Sequence, residues 1–378
     1  MKILFLNFWA SKPGGAEISL VDLISEVSRK HQTRLITSES GYLTENAAFS
    51  GCKCSIIRCN MDLTPFQRNH LFLHCLSHVA ILFKFIKYCF AVKQEVFSDM
   101  PDIIHANVPK SHMILHFLLA AGFKGKAVFH IREIFNRHST VSILYSLLFR
   151  FHPAPVIAIS HAVFYSLPRP MKKTSTVIYN GVEIPVSVPS RNFTHKEPAF
   201  LYLGRVVPWK GCDLLIEAFN LLVKKYSEKS GTLSIIGGSF YWNRSYRESL
   251  QDKIRLLGLE KNIALLEHSD NPGILFNQHS VLCVPSDREP FGRVAAEAMA
   301  WGLPVIGFNF GGLSEVVKHS ETGLLGQERT AEVLCSLMEY SIVHPDELAR
   351  MGAKGRERCK QFFDKNKQIP QIARAIIN

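Results

Sequence analysis

Short apolar runs alternate with helix-length amphipathic segments along the whole chain. In the first half this pattern predicts strands near Ile3–Asn7, Thr33–Thr37, Lys53–Arg58, Asp102–His105, Ala127–His130, Val156–Ile159 and Thr176–Tyr179. Between them it predicts helices near Ala16–Lys30, Phe66–Phe97, Ser111–Ala121, Thr140–Arg150 and Ser160–Leu167. In the second half, strands near Phe200–Leu203, Leu233–Ile236, Ile263–Leu266, Val281–Val284, Pro304–Gly307 and Gly323–Leu325 alternate with helices near Cys212–Lys225, Tyr246–Leu257, Pro272–Gln278, Val294–Ala300 and Thr330–Tyr340. Such alternation implies parallel sheets covered on both faces and built from right-handed crossovers. The fold class is therefore α/β, with two Rossmann-like, doubly wound domains. The stretch from Gly181 to His195 holds two prolines and little helical periodicity, so it marks the boundary. The first domain is expected over 1–179 and the second over 180–360. The final segment, Pro345–Asn378, reads as helices with an apolar stripe.

A length of 378 residues with 47% hydrophobic positions suits two core-forming domains and excludes a disordered or low-complexity chain. Nine cysteines are too few for a disulfide framework and odd in number, which places the protein in a reducing compartment, the cytoplasm. The net charge of +12 is uneven: residues 1–184 carry 20 Lys and Arg against 11 Asp and Glu, and residues 185–378 carry 24 against 21. Without a long basic run or an aromatic-interleaved basic stripe, that excess does not point to nucleic acid. Met1–Ala10 imitates a short signal peptide, but Asn7 interrupts it and Lys12-Pro13-Gly14-Gly15 follows, so it reads as a buried first strand. Phe66–Phe97 is the most apolar stretch, yet its charge-free window, Asn69 to Phe83, is 15 residues. A spanning helix needs roughly 20. It reads either as a domain helix with a wide buried face or as one whose Lys-edged outer face rests on an anionic membrane.

In doubly wound sheets ligands bind beyond the carboxyl ends of the strands. There lies the string from Ser286 to Ile306, with Glu289 in a loop, Gly292 opening a helix and Glu297 inside it. The free amides of that helix suit an anion or sugar hydroxyls, and Glu297 could accept hydrogen bonds from a vicinal diol such as a ribose. Arg205 and Lys210 follow the strand Phe200–Leu203 in a loop pinned by Gly and Pro, and two such cations can reach one diphosphate. Gly14 and Gly15 allow backbone to approach a ligand, without the glycine fingerprint of NAD sites. His130, followed by Arg132 and Glu133, either packs or lines a cleft. Cys52, Cys54 and Cys59 lack a second pair at zinc spacing, and no Asp-x-Asp follows a strand, so no essential metal or other cofactor is expected.

Together these residues resemble the retaining, family-4 glycosyltransferases of the GT-B fold. The resemblance rests on Glu289-x7-Glu297, the Gly204-Arg205-x4-Lys210-Gly211 loop, Asn180-Gly181-Val182, Ile235-Ile-Gly-Gly238 and Gly14-Gly15-Ala-Glu17. It is dense in the second half. In the first half it extends to Asp102-Ile-Ile-His105-Ala-Asn107, His130 and Ala158-Ile-Ser160. The resemblance implies two Rossmann-like domains facing across a cleft, with a C-terminal helix, about 361–378, crossing back to the first. It implies a nucleotide-sugar donor, with Glu297 on the ribose, Arg205 and Lys210 on the diphosphate, and Glu289 with the Phe291-Gly292-Arg293 backbone on the sugar. Gly15, beside Gly14, would approach the phosphates, and His130 would lie near the anomeric centre. Glu289, His130, Arg205 and Lys210 are thus the expected catalytic group. The acceptor would be a glycan or lipid-linked glycan of bacterial surface polysaccharide or lipopolysaccharide assembly, met at the inner face of the membrane. A nucleotide-sugar epimerase, a phosphorylase of the same architecture and a non-catalytic sugar-nucleotide or membrane-surface binder are the alternatives.

Overall fold

The structure, a computed structural model, describes every residue except 12–13, 60–70, 137–138, 189–197, 239–243 and 270, with the backbone alone at 71–80 and 228. The chain divides into two units, Met1–Ile178 with Lys367–Asn378, and Tyr179–Asn366.

The first unit opens with β1 (Lys2–Leu6), α1 (Gly15–Ser28), β2 (Gln32–Thr37), α2 (Tyr42–Phe49), β3 (Lys53–Ile56) and α3 (Leu71–Asp99). It continues with β4 (Ile103–Ala106), α4 (Pro109–Ala120), β5 (Lys126–Ile131), α5 (Thr140–Phe151), β6 (Val156–Ala158), α6 (His161–Ser166), α7 (Arg169–Lys172) and β7 (Ser175–Val177). Its seven strands lie in the order β3-β2-β1-β4-β5-β6-β7, and every pairing is parallel. Strand β4, Ile-Ile-His-Ala, is buried at all four positions, as a parallel strand covered on both faces must be.

The second unit runs β8 (Ala199–Leu203), α8 (Cys212–Tyr226), β9 (Thr232–Ile236), α9 (Arg244–Leu256), β10 (Ile263–Leu266), α10 (Pro272–Gln278) and β11 (Val281–Val284). Then come α11 (Arg293–Ala300), β12 (Val305–Phe308), α12 (Leu313–Val316), β13 (Gly323–Gly326), α13 (Ala331–Val343), α14 (Pro345–Phe362) and α15 (Lys365–Ile377), most of which belongs to the first unit. Six parallel strands take the order β10-β9-β8-β11-β12-β13. Ile369, Ile372, Ala373 and Ile376 of α15 join the core of Ile3, Phe5, Leu20, Ile24 and Leu35.

Both sheets place their first strand beside a strand that returns after two crossovers, β1 beside β4 and β8 beside β11. These are the switch points where doubly wound sheets present loops to ligands. The expected elements are present, with ends moved by a few residues: α1 begins at Gly15, and β5 continues one residue beyond His130. Helix α2 has no counterpart in the apolar pattern, because only Leu43, Thr44 and Ala47 of its eight residues are buried. The start of the expected helix Phe66–Phe97, at 66–70, and the boundary segment 189–195 lie outside the described residues.

Candidate functional site

In the second unit, two loops leave the switch point together. The loop after β8 tightens into a 3-10 turn over Pro208–Lys210, and the loop after β11 leads into α11. They are tied where the Asp287 N–H donates to the Trp209 carbonyl at 2.9 Å. Lys210 Nζ meets Glu289 Oε2 at 2.5 Å, with only 14% and 11% of the two side chains exposed. Lys210 Nζ also stands 4.4 Å from the centroid of the Trp209 ring, and the Arg205 guanidinium 5.8 Å from the same centroid. One indole thus gathers both cations in one locality.

Gly292 starts α11 at φ +93°, a conformation that favours glycine, and the first helical bond runs from the Ala296 N–H to the Gly292 carbonyl. The amides of the first turn ahead of it have no partner inside the helix. The Phe291 side chain is buried, in an aromatic triad with Tyr179 and Phe363 at centroid distances of 5.9 and 5.5 Å, so it anchors the loop and leaves only backbone for a ligand. Arg293 Nε donates to Glu297 Oε1 at 2.7 Å, and its Nη1 to the Gly181 carbonyl at 3.3 Å. The sequence reading used only the Arg293 backbone; its side chain is a brace on Glu297. Behind the loop, the Gly312 N–H donates to the Glu289 carbonyl at 2.6 Å. A Cβ on Gly311 would stand 2.4 Å from that carbonyl oxygen, so glycine is what lets the two backbones approach. Sequence reasoning passed over this support, although the adjacent glycines ahead of Leu313-Ser-Glu were its signal.

The first unit gathers a different set at its switch point. His105 on β4 and His130 on β5 are fully buried, with His105 Nε2 and His130 Nδ1 3.2 Å apart. His112 Nε2 donates to the His130 carbonyl at 3.2 Å, and its Nδ1 meets the Tyr145 hydroxyl at 2.9 Å. Asn107 Nδ2 donates to Asn7 Oδ1 at 3.0 Å, and Arg132 Nε to Asn107 Oδ1 at 2.8 Å. Burial first, and then the Arg132 charge, hold His130 well below the usual histidine range. Burial likewise pushes His105 and His112 down to about 3. These rings are neutral at physiological pH, and His130 Nε2 is a buried atom without a hydrogen-bond partner among the described residues. Gly14 caps α1 with extended backbone and Gly15 is its first residue, so both sit at the helix entrance.

Helix α3 exposes Leu82, Phe83, Ile86 and Phe90 and buries Tyr88, Cys89, Val92 and Val96. Among the described residues, no helix is long and apolar enough to cross a membrane, and no three His, Cys, Asp or Glu side chains converge as a metal set.

Residues 185–358 match the family Glycosyl transferases group 1. The chain is 31% identical over 163 residues to the Staphylococcus aureus capsular polysaccharide biosynthesis glycosyltransferase CapM, covering 43% of this chain and 41% of that one. It is 30% identical over 177 residues to a Gordonia bronchialis D-inositol 3-phosphate glycosyltransferase, covering 46% and 39%. The chain thus spans less than half the length of these curated relatives. Among solved structures, Anabaena Alr3699/HepE in complex with UDP-glucose aligns with a TM-score of 0.81 at 24% identity, over 100% of this chain and 99% of that one. That likeness shows the fold, two parallel-sheet Rossmann-like units of GT-B architecture.

Proposed function

We propose that this chain is a nucleotide-sugar-dependent glycosyltransferase of the retaining, family-4 kind. The observation that carries the reading is the Lys210–Glu289 pair beside Arg205 and Trp209, at the head of α11 and inside the matched stretch 185–358. Arg205 and Lys210 would stabilise the leaving diphosphate, Glu297 would bind the ribose, and Glu289 with the Phe291-Gly292-Arg293 backbone would hold the sugar. The bond from the anomeric carbon to the diphosphate oxygen breaks, and the acceptor oxygen bonds that carbon on the same face. The acceptor's proton passes to the leaving phosphate. Preorganised cations are worth most at that developing charge. Gly14 and Gly15 are assigned to phosphate approach, and His130 to the sugar near its reacting carbon. As a neutral ring, His130 supplies a hydrogen bond without charge.

The relatives' names, a capsular polysaccharide biosynthesis enzyme and a D-inositol 3-phosphate glycosyltransferase, favour a glycan or a phosphorylated polyol as acceptor. The lipid-linked glycan and the inner face of a membrane rest on the resemblance alone. Turnover of UDP-, GDP- and ADP-sugars with and without acceptor tests the proposal. Acceptor-dependent release of nucleoside diphosphate supports it, conversion of the donor alone favours an epimerase, and neither leaves a binder. A matching donor at a hundred times its dissociation constant should add about 2.7 kcal/mol of stability. Because two cations already serve the diphosphate in this reading, EDTA should leave the rate unchanged. Loss of activity restored by Mn²⁺ or Mg²⁺ would refute that part.

A further inference from the structure

Helix α5 is apolar almost all round. Its sequence, Thr-Val-Ser-Ile-Leu-Tyr-Ser-Leu-Leu-Phe-Arg-Phe, has one charge, Arg150. It buries Ser142, Tyr145 and Phe149 at helical spacing. On the opposite side Ile143, Leu147 and Phe151 recur every fourth residue, flanked by Val141 and Leu144, and these five side chains are 45% to 74% exposed. A helix apolar on all sides ordinarily lies inside a core, so the outer stripe calls for a partner.

Charge decides which partner. From Ile134 to Val182 the chain has no Asp or Glu and five Lys or Arg. Helix α7 packs beside α5 and carries Arg169 and Lys172, with Lys173 next in the chain; Lys172 Nζ donates to the Tyr165 carbonyl at 2.8 Å. A second copy meeting this face across a two-fold axis would set the patch holding Arg150, Arg169, Lys172 and Lys173 against a patch of the same sign, and the stretch from Ile134 to Val182 supplies no carboxylate to offset it. An anionic bilayer satisfies both features, because its headgroups face the cations while its acyl boundary receives the apolar stripe.

We propose that α5, edged by Arg150, Arg169, Lys172 and Lys173, docks this protein on an anionic lipid surface, with Ile143, Leu147 and Phe151 entering the boundary between headgroups and acyl chains. The inference shares with the functional reading only the membrane setting. It moves the contact from the Phe66–Phe97 segment to a second helix, and none of its residues belongs to the sugar-transfer site.

The test is co-sedimentation of the full chain with phosphatidylcholine vesicles, with and without phosphatidylglycerol. The protein should pellet only with the anionic vesicles and leave them as salt shortens the screening length. Leu147→Asp with Phe151→Asp should reduce partitioning at least tenfold, and so should Arg150→Glu with Lys172→Glu and Lys173→Glu. Phe83→Asp with Phe90→Asp in α3 should leave it within twofold. The Phe151→Trp variant, which keeps the apolar face of the helix, should show blue-shifted emission when anionic vesicles are added. Turnover with a soluble acceptor should be the same in wild type and α5 variants, so loss of docking and loss of sugar transfer are read separately. Equal recovery with neutral lipid, undiminished binding of the α5 variants, an unmoved emission spectrum of the Phe151→Trp variant, or a lipid-free dimer abolished by Phe151→Asp would each overturn the proposal.

Discussion

The two switch points are built from opposite kinds of polar group. In the second unit the side chains are formal charges held as pairs, Lys210 with Glu289 between the two loops and Arg293 with Glu297 in the first turns of α11, each side chain with 11% to 25% of its surface exposed. In the first unit they are mostly neutral imidazoles and carboxamides, His105, His130, His112, Asn107 and Asn7, all buried, with one cation, Arg132, donating to Asn107. A charged ligand group is best met by charges whose desolvation is already offset by a partner, whereas sugar hydroxyls are best met by neutral donors and acceptors in fixed geometry. Under the proposed function the contrast separates a diphosphate-facing role from a hydroxyl-facing one, and each role is open to a different perturbation.

The largest effect is expected from the cations. Arg205→Ala should cost about 2–4 kcal/mol in transition-state stabilisation, and removing Lys210 as well should lower turnover by at least about a thousandfold. Lys210→Ala alone carries a second cost, because it strands Glu289 in a site where its partner is gone. Pairing Lys210→Met with Glu289→Gln should therefore recover stability in urea unfolding without recovering activity. Wild-type turnover in the Arg205→Ala, Lys210→Ala protein would end the diphosphate assignment.

A smaller and more selective effect divides the two glutamates. Glu297→Gln should weaken a bare nucleoside diphosphate and its sugar conjugate alike, by about 1.5–3 kcal/mol, the range for hydrogen bonds to a charged group. Glu289→Gln should spare the bare nucleotide and lower turnover. The Arg293 brace sharpens this, since Arg293→Ala should copy the Glu297 defect by freeing its carboxylate to turn. Calorimetry in which both glutamate variants lose nucleotide affinity equally would contradict the division.

Much of this was legible before the fold was seen, and the limits have a physical pattern. Strand, loop and helix around Glu289 and Glu297 follow one another within about twenty residues, so local periodicity places them. The Lys210–Glu289 pair spans 79 residues, and the His105–His130 contact 25. Both depend on which strands become neighbours, β8 beside β11 and β4 beside β5, and apolar patterning alone does not specify that order. Helix α2 escaped for the reverse reason, since a short helix with three buried residues carries almost no periodic signal. The outer stripe of α5 was hidden because burial and exposure look the same in sequence when both faces of a helix are apolar.

The most modest effect separates the units by their response to acid. His116 is buried between the rings of Phe129 and Phe149, at centroid distances of 4.6 and 4.9 Å, with Tyr145 further off, and neither of its ring nitrogens has a hydrogen-bond partner among the described residues. Burial first, and the nearby His152 second, push it down to about 4. An unfolded histidine takes up its proton near pH 6.5. Below that value the unfolded chain therefore binds more protons than the folded one, so stability is complete at neutral pH and falls as pH drops toward the folded value of about 4. Each such ring contributes a slope of about 1.4 kcal/mol per pH unit in that window. His105 and His112 contribute in the same direction down to about 3, whereas the second unit has no fully buried histidine among its described residues. His116→Phe should keep the aromatic packing and remove two stranded polar atoms, leaving stability at pH 7 equal or higher by about 1 kcal/mol. Urea unfolding of wild type and variant between pH 7 and pH 5 should show the variant's dependence shallower by about one histidine's slope. An identical dependence in the two proteins would mean that His116 already binds its proton in the folded state.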